Sequence, residues 1–560
     1  MNMFARLLIL AALALVGLSP LTAMGQPEKS YTLTVLSTND THGHPMEFAW
    51  SDTVDGVAYN SPAAGGIPAR KTYIDSVKAA QPNTLVLDAG DLTTGLVMSN
   101  LFKAQPDVLG MNLAGYQALT AGNHEFDNDR AALAARQADA KFPFLAANVY
   151  DKATGKRQFQ PYLIVPFKDF KVAVIGLATP ETPIVTLPEN VAGLEFRDGA
   201  DEVNALAREV RKQADFVIVL SHLGLADDRA LAERVLGVDL IIGGHSHTYM
   251  AKAEVVNDVP IFQAYQWGLF VGRTDIVVEK NRLVSVNSVP VPINLAINYK
   301  DGDPVKGVVR EVAGKKYDYV GGYLAPDAAV TSLLQPFADK VAKDLDTVIG
   351  TATAAFPDTI KGLSRYPRRD DSALSNMIND GLREETSRIV NQKVDVFMQS
   401  GGSIRATIPA GPISKKTIYT VLPFDNTIQT VSMTGAQLLD VLTNRALPVA
   451  IANYTTGWDG PSGAYLQVSG MTFTLDLTAK TIADVTVGGA PLDLAKVYLV
   501  ASQNFMMTGG DGYAMLAALP GKYETSAFLR DAMISWMVRK GTLDPATYED
   551  NRINMVNTGR

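Results

Sequence analysis

At 560 residues the chain exceeds what one hydrophobic core supports, since single cores stop growing near about 250–300 residues, so two folded domains are expected. Apolar residues make up 47% and charged residues 19%, which is rich enough to bury sizeable cores and argues against extensive disorder. A formal charge of −8 disfavours a nucleic-acid polymer as partner, and the absence of cysteine excludes disulfides, thiolate metal sites, cysteine nucleophiles and lipoprotein-type lipidation.

Residues 1–25 read as a signal peptide: a short start with Arg6, the apolar stretch "LLILAALALVGL", a helix break at Ser19-Pro20 and small residues near "TAMGQ". Cleavage is expected between Ala23 and Gly25, giving a periplasmic or secreted chain whose formal charge, without Arg6, moves from −8 to −9. The apolar run falls short of the roughly 20 residues that span a bilayer, and no later segment qualifies, so no stable membrane anchor is expected.

From about 31 to 290 the pattern alternates apolar runs with helix-like stretches. "LTVLSTND", "TLVLDAGD", "ALTAGNHE", "KVAVIGLAT", "DFVIVLSHLG" and "VDLIIGGHSH" read as strands ending in polar or glycine-rich turns, with "PARKTYIDSVKAA" and "DEVNALAREVRKQA" as helices between them. This is an α/β layer architecture that delivers polar groups at strand ends, where loops converge. The spacing predicts a connecting helix over 322–350, entered at Pro326 and stopped at Gly350. A second α/β unit follows over 351–560, with "SALSNMINDGLREETS" as a helix and "VDVFMQSGGSIRA", "LQVSGMTFTLD" and "VYLVASQNF" as strands leading into turns.

All six histidines, His42, His44, His124, His222, His245 and His247, lie in the first half and inside strand-end motifs. Histidines scattered for structural reasons would populate both halves, so a shared site is the better reading. "TNDTHGH" adds Asp40, "DAGD" adds Asp91 and "GNHE" adds Asn123. Imidazole, carboxylate and amide oxygen suit zinc, manganese or iron, and a carboxylate can bridge two ions. Two ions about 3.5–4 Å apart activate a water and polarise a phosphoryl oxygen. His124 differs from the others: with Asn123 as a ligand it can face the leaving group, and Asp127 in "NHEFD" is placed to hold its ring.

These motifs, in the order D-x-H, GD, GNHE, H and GHxH, resemble the calcineurin-like metallophosphoesterases. "TNDTHGH", "GNHEFDN" and "MNLAGY" are similar to the 5′-nucleotidase family, above all its bacterial periplasmic nucleotidase and UDP-sugar hydrolase branch. The resemblance spans essentially the whole mature chain. It implies a metallophosphoesterase β-sandwich flanked by helices over 26–321, the linker helix over 322–350 acting as a hinge, and a C-terminal α/β substrate-binding domain over 351–560. It implies two divalent metal ions, one on Asp40, His42, Asp91 and His247, the other on Asp91, Asn123, His222 and His245, with Asp91 bridging and His124 and Asp127 as the catalytic pair. His247 stands where relatives use different donors, and His44 is read as a loop or supporting residue.

The C-terminal half carries the substrate clues. Arg365, Arg368 and Arg369 lie in "LSRYPRRD", and Arg405 follows a glycine turn in "QSGGSIRA". Guanidinium groups pair with phosphate oxygens in a fork, although an isolated arginine is more often at the surface. Phe424 in "VLPFDNT" and Phe505 in "SQNFMMTGGDGY" sit beside turns, where two opposed rings would stack on a base, while Asp511 suits a ribose diol or a turn. The resemblance implies that Phe424 and Phe505 stack on the base, that Asp511 contacts the ribose, that Asn426 meets the base edge, and that Arg365, Arg368 and Arg405 bind substrate. Two departures stand out: Ser400 replaces the asparagine that relatives carry in "NGGGIR", and the interval between "LSHLG" and "GGHSH" is short.

The resulting expectation is an exported phosphohydrolase that releases phosphate from nucleoside 5′-monophosphates and extends to di- and triphosphates and UDP-sugars. The alternative on the same scaffold is a 2′,3′-cyclic-nucleotide 2′-phosphodiesterase/3′-nucleotidase. A carrier-bound thiosulfate substrate has no base to stack, and a pure binding protein has no use for His124 with Asp127. The sequence carries no signal for oligomeric state.

Overall fold

The computed structural model describes residues 28–186, 190–356, 366–424, 426–455 and 462–557. The leader segment 1–25 and Arg365 lie outside the described residues. Two six-stranded sheets form the first half. One runs, edge to edge, through Arg282–Pro292, Phe270–Glu279, Tyr31–Thr38, Thr84–Asp88, Ala118–Thr120 and Phe144–Leu145. The other runs through Glu254–Val256, Val259–Gln263, Leu240–Gly243, Phe216–His222, Lys171–Ala178 and Tyr162–Pro166.

Side-chain alternation decides how the sheets pack, because successive residues of a strand point to opposite faces. In Tyr31–Thr38, Leu33 and Val35 join Leu85, Leu87, Val174, Ile218, Leu220 and Ile242 in the core between the sheets. Leu36 instead faces the helices Ile67–Ala80 and Gln105–Ala114, among Ile74, Val77, Val108 and Met111. The helices Gly199–Val210 and Leu225–Arg234 cover the opposite sheet through Val203, Leu206, Val210 and Leu231. The central pairings of both sheets are parallel. Their C-terminal ends, and the loops that follow Thr38, Asp88, Thr120, His222 and Gly243, therefore converge on one rim, as in other parallel sheets with helices on their faces.

The connecting helix spans Ala328–Leu345, capped by Asp327, whose carboxylate accepts from Val330 N at 2.9 Å. It ends at Asp346, so Gly350 is not its stop. Gly350 lies inside the strand Val348–Ala352, where a Cβ would come within 3.0 Å of Gly541 O; the glycine serves a close backbone approach. Val330 and Leu334 are buried in the first half's core, so the helix is docked there over its first turns.

The second half centres on a five-stranded sheet ordered Leu466–Ser469, Val396–Ser400, Val497–Gln503, Thr427–Thr434 and Tyr523–Phe528. Val396, Met398, Val431 and Val500 pack on one face, and Phe397, Ile428 and Ala501 on the other beneath the helices Ala373–Ile389 and Leu529–Lys540. The stretch "LQVSGMTFTLD" does not form one strand. It divides at Gly470, φ 79°, into Leu466–Ser469 and Met471–Asp476, which belong to different sheets. A left-handed glycine turns the chain there.

Candidate active site

The converging loops carry the histidine motifs. Asp40 and His42 follow Tyr31–Thr38, Asp91 follows Thr84–Asp88, Asn123 and His124 follow Ala118–Thr120, His222 ends its strand, and His245 and His247 follow Leu240–Gly243. Five of these have left-handed backbone: Asp40 (φ 49°), His42 (43°), Asp91 (55°), His245 (72°) and His247 (52°). Positive φ is uncommon outside glycine and clusters at functional sites. The loops are tied to one another: Asp40 N donates to Gly90 O at 2.9 Å, His42 N to Asp91 O at 3.0 Å, and Trp267 N to Asp40 O at 2.7 Å.

Glu125, which the sequence reading passed over, clamps this rim. Its buried carboxylate accepts from the backbone N–H of Gly122 (2.7 Å), Leu92 (2.8 Å), Asp91 (3.0 Å) and Thr93 (3.2 Å). Its place inside GNHE was the available signal. Gly90 and Gly122 are needed for space, since a Cβ on either would come within 2.8 Å of a His222 ring nitrogen.

The side chains form overlapping groups whose donor atoms lie within 4.8 Å of one another: Asp40, His42 and His247; His42, Asp91 and His124; Asp91, His222 and His245. Asp91 belongs to two of them, and Asn123, which lines the same cavity, buries its Oδ1 without a hydrogen-bond partner among the described residues.

Ring-nitrogen roles show that cations fit here. His42 Nδ1 lies 3.0 Å from Thr94 O, His247 Nδ1 2.5 Å from Gln266 Oε1, and His222 Nδ1 2.6 Å from Ala89 O. A carbonyl only accepts, so each Nδ1 carries the hydrogen and each Nε2 of a neutral ring presents a lone pair. His42 Nε2 and His247 Nε2 then face each other at 3.0 Å, a repulsive contact until a cation is shared between them. His222 Nε2 is 3.0 Å from Asp91 Oδ2, and these two atoms with a His245 ring nitrogen form one of the groups that could hold a cation. Burial pushes His245 down to about 3, leaving its ring in the neutral, ligating form.

His124 is held differently. Its Nδ1 lies 2.5 Å from Asp127 Oδ2, the same oxygen that accepts from Thr94 Oγ1 at 2.5 Å, while Thr186 Oγ1 donates to Asp127 Oδ1 at 3.3 Å. Burial disfavours a charged ring, but Asp127 and Asp91 outweigh it and raise the His124 pKa. His44 plays the supporting part expected of it: its Nδ1 reaches Thr41 O (2.9 Å) and His42 O (2.7 Å), and its ring packs on Phe48 and Trp267.

The second half closes over this rim. A cavity of about 410 Å³ is lined on one side by Asp91, Asn123, His124, Asp127, His245 and His247, and on the other by Arg368, Arg405, Phe424, Asn426, Phe505 and Asp511. Phe424 lies with its ring 6.0 Å from that of His124, and the Arg405 guanidinium is 5.7 Å from the centre of the Phe424 ring. Arg368 lines the cavity and acts electrostatically on both His245 and Asp511. Burial raises the Asp511 pKa against the opposing pull of Ser400, Arg368, Arg445 and Arg405. Arg369, by contrast, is 2% exposed and pairs with Asp370 at 3.2 Å, a core ion pair.

The chain is similar to known proteins along its whole length. Residues 33–249 match the model of the calcineurin-like phosphoesterases, and residues 348–518 that of the 5′-nucleotidase C-terminal domain. Protein UshA of Escherichia coli is 32% identical over 98% of this chain and 98% of its own, and a 5′-nucleotidase of Vibrio cholerae is 31% identical over 96% and 95%. The crystal structure of a 5′-nucleotidase precursor from Thermus thermophilus superposes with a TM-score of 0.77 at 27% identity, covering 94% of this chain and 100% of that one. The chain belongs to the 5′-nucleotidase family, as a metal-dependent hydrolase with a calcineurin-like phosphoesterase domain and a C-terminal nucleotidase domain.

Proposed function

We propose that the protein hydrolyses nucleoside 5′-monophosphates to nucleoside and inorganic phosphate, extending to nucleoside di- and triphosphates and UDP-sugars. The observation that carries this reading is the single cavity lined by both the histidine–aspartate rim and the Phe424, Asn426, Phe505 and Asp511 group. One molecule with a phosphate at one end and a base at the other fits it. Asp40, His42, Asp91 and His247 would hold one divalent ion and Asp91, Asn123, His222 and His245 a second, of zinc or manganese type. When bound, such a pair lowers the pKa of a water nucleophile and neutralises phosphoryl charge.

The chain's own residues orient and protonate. Arg368 and Arg405, which line the same cavity, pair with phosphate oxygens, and Phe424 and Phe505 hold the base. His124, with Nδ1 tied to Asp127, presents Nε2 to the cavity, where a proton on that atom neutralises charge on the departing ribose oxygen. The reading includes export after removal of residues 1–25 and a division into 26–321, 322–350 and 351–560; among the described residues no helix is long and apolar enough to cross a membrane.

Phosphate release from AMP, 3′-AMP, 2′,3′-cyclic AMP and UDP-glucose, with and without chelator, tests this. Chelator-sensitive release from AMP is expected. No turnover of AMP after reconstitution with zinc or manganese would overturn the proposal, and faster turnover of the cyclic and 3′ substrates would transfer it to the cyclic-nucleotide alternative.

A further inference from the structure

The loop of Asp91 runs into a short helix, Val97–Leu101, that no motif singled out. Val97 and Met98 bury against Val341 and Leu345 of the connecting helix, so its position is fixed by packing. Asn100, in the same helix, lines the cavity. Its side chain closes a ring on a single residue: Oδ1 accepts from Gly95 N at 2.9 Å, and Nδ2 donates to Gly95 O at 2.7 Å. A backbone N–H only donates and a backbone carbonyl only accepts, so the amide has one possible orientation.

The stretch Thr93-Thr94-Gly95 is what this ring holds. Thr94 is left-handed, φ 63°, a backbone that a β-branched residue adopts only under constraint. From there it reaches two parts of the site: its carbonyl lies 3.0 Å from His42 Nδ1, and its hydroxyl donates to Asp127 Oδ2 at 2.5 Å. Thr93 repeats the pattern, with its carbonyl 3.2 Å from His42 Nδ1 and its hydroxyl donating to His124 O. Two consecutive threonines thus tie His42 to the His124–Asp127 pair. Gly95 ends the stretch against His42 itself, where a Cβ would lie 1.6 Å from His42 O. Having no side chain, Gly95 is held by its peptide groups, and Asn100 supplies a partner to both the N–H and the carbonyl.

We infer that Asn100 is a positioning residue that acts through Gly95 and Thr94, keeping the His42 ring and the Asp127 carboxylate in register with each other. Without its amide, the Gly95 N–H and carbonyl lose these partners and the strained threonine beside them relaxes. The His42 ring and Asp127 then lose their fixed orientation together. The inference rests on the reading of His42 as a metal ligand and of His124 with Asp127 as the proton-donating pair.

The test uses Asn100→Ala and the isosteric Asn100→Asp, which keeps an acceptor for Gly95 N and removes the donor to Gly95 O. Zinc affinity is measured by titrating the metal-free protein, and kcat and KM with a small aryl phosphate and with AMP. In both variants zinc affinity and kcat are expected to fall together by about tenfold or more, the usual effect of losing a group that orients a ligand. KM for either substrate should stay within about twofold of the wild type. Combined with Thr94→Val, either variant should cost less in kcat than the product of the two separate losses, because both changes act on one contact. Wild-type kcat and zinc affinity in the variants, whatever their Tm, overturn the inference. A loss confined to KM also overturns it, by making Asn100 a substrate contact, and fully multiplicative losses in the double variant overturn the route through Thr94. Asn100→Asp carries the comparison if Asn100→Ala does not fold. The aryl phosphate carries it if AMP is not turned over, so a failed nucleotidase reading is told apart from a failed inference.

Discussion

At the metal end of the cavity Asp40, His42, Asp91, His245 and His247 all sit on left-handed backbone, whereas of the residues named at the nucleoside end only Asp511, φ 53°, does. Left-handed conformations of non-glycine residues cost about 1–2 kcal/mol each. At the metal end that strain is held by Glu125 and by backbone bonds between loops. The chain's own backbone thus holds the donors in place, as preorganised catalytic geometry requires. At the end proposed to hold the nucleoside, Phe424, Asn426 and Phe505 are not among the left-handed residues, and on that proposal recognition depends on where their rings and amide are packed. Damage at the first end should therefore appear in metal content and kcat, and damage at the second in KM.

Asp91→Ala should break this contrast most severely, because it removes a donor shared by two of the side-chain groups. We expect a loss of about 10⁴-fold or more in kcat/KM, with both ions lost on metal analysis. One ion retained at full affinity would show that Asp91 does not bridge. His124→Ala should lower kcat by about 10²–10⁴-fold while the metal content stays that of the wild type; an emptied site would make His124 a ligand.

Thr94 sharpens the comparison, since its hydroxyl binds Asp127 Oδ2 while its carbonyl accepts from His42 Nδ1. Thr94→Val should cost about 10–100-fold in kcat, the usual effect of removing a partner that orients a site group. Thr94→Ser should restore most of it, and equal losses in both variants would assign the effect to packing. Phe505→Ala acts on KM and not on kcat. Losing a stacking ring worth about 1–3 kcal/mol should raise KM for AMP by about 5–150-fold, and hydrolysis of a small aryl phosphate should be spared. Equal losses on both substrates would move Phe505 into the core.

Much of the metal end was legible in the sequence because each donor lies within a few residues of a strand's end, and a strand's end can be read from local pattern. The same locality explains the failures. Glu125 is adjacent to His124 in sequence, but its role depends on N–H groups of residues 91–93, which only the convergence of two loops supplies. Gly350 resembled a helix stop, yet it was a close approach to Gly541 in a distant segment. "LQVSGMTFTLD" has strand character throughout, and nothing local says that Gly470 sends its two parts into different sheets.

The sequence by itself determined the two α/β units, the order and type of the candidate donors, the exclusion of thiolate chemistry, and the pairing of His124 with Asp127 across three residues. These follow from periodicity and short spacing, which are properties of neighbouring residues. Only the tertiary structure decided that Arg368 and Arg405 line the same cavity as the histidines, that Arg369 is buried beside Asp370, and that His42 and His247 meet through their Nε2 atoms. Those are contacts between residues as many as 205 positions apart, and their geometry is set by the packing of sheets and loops that no local stretch of sequence encodes.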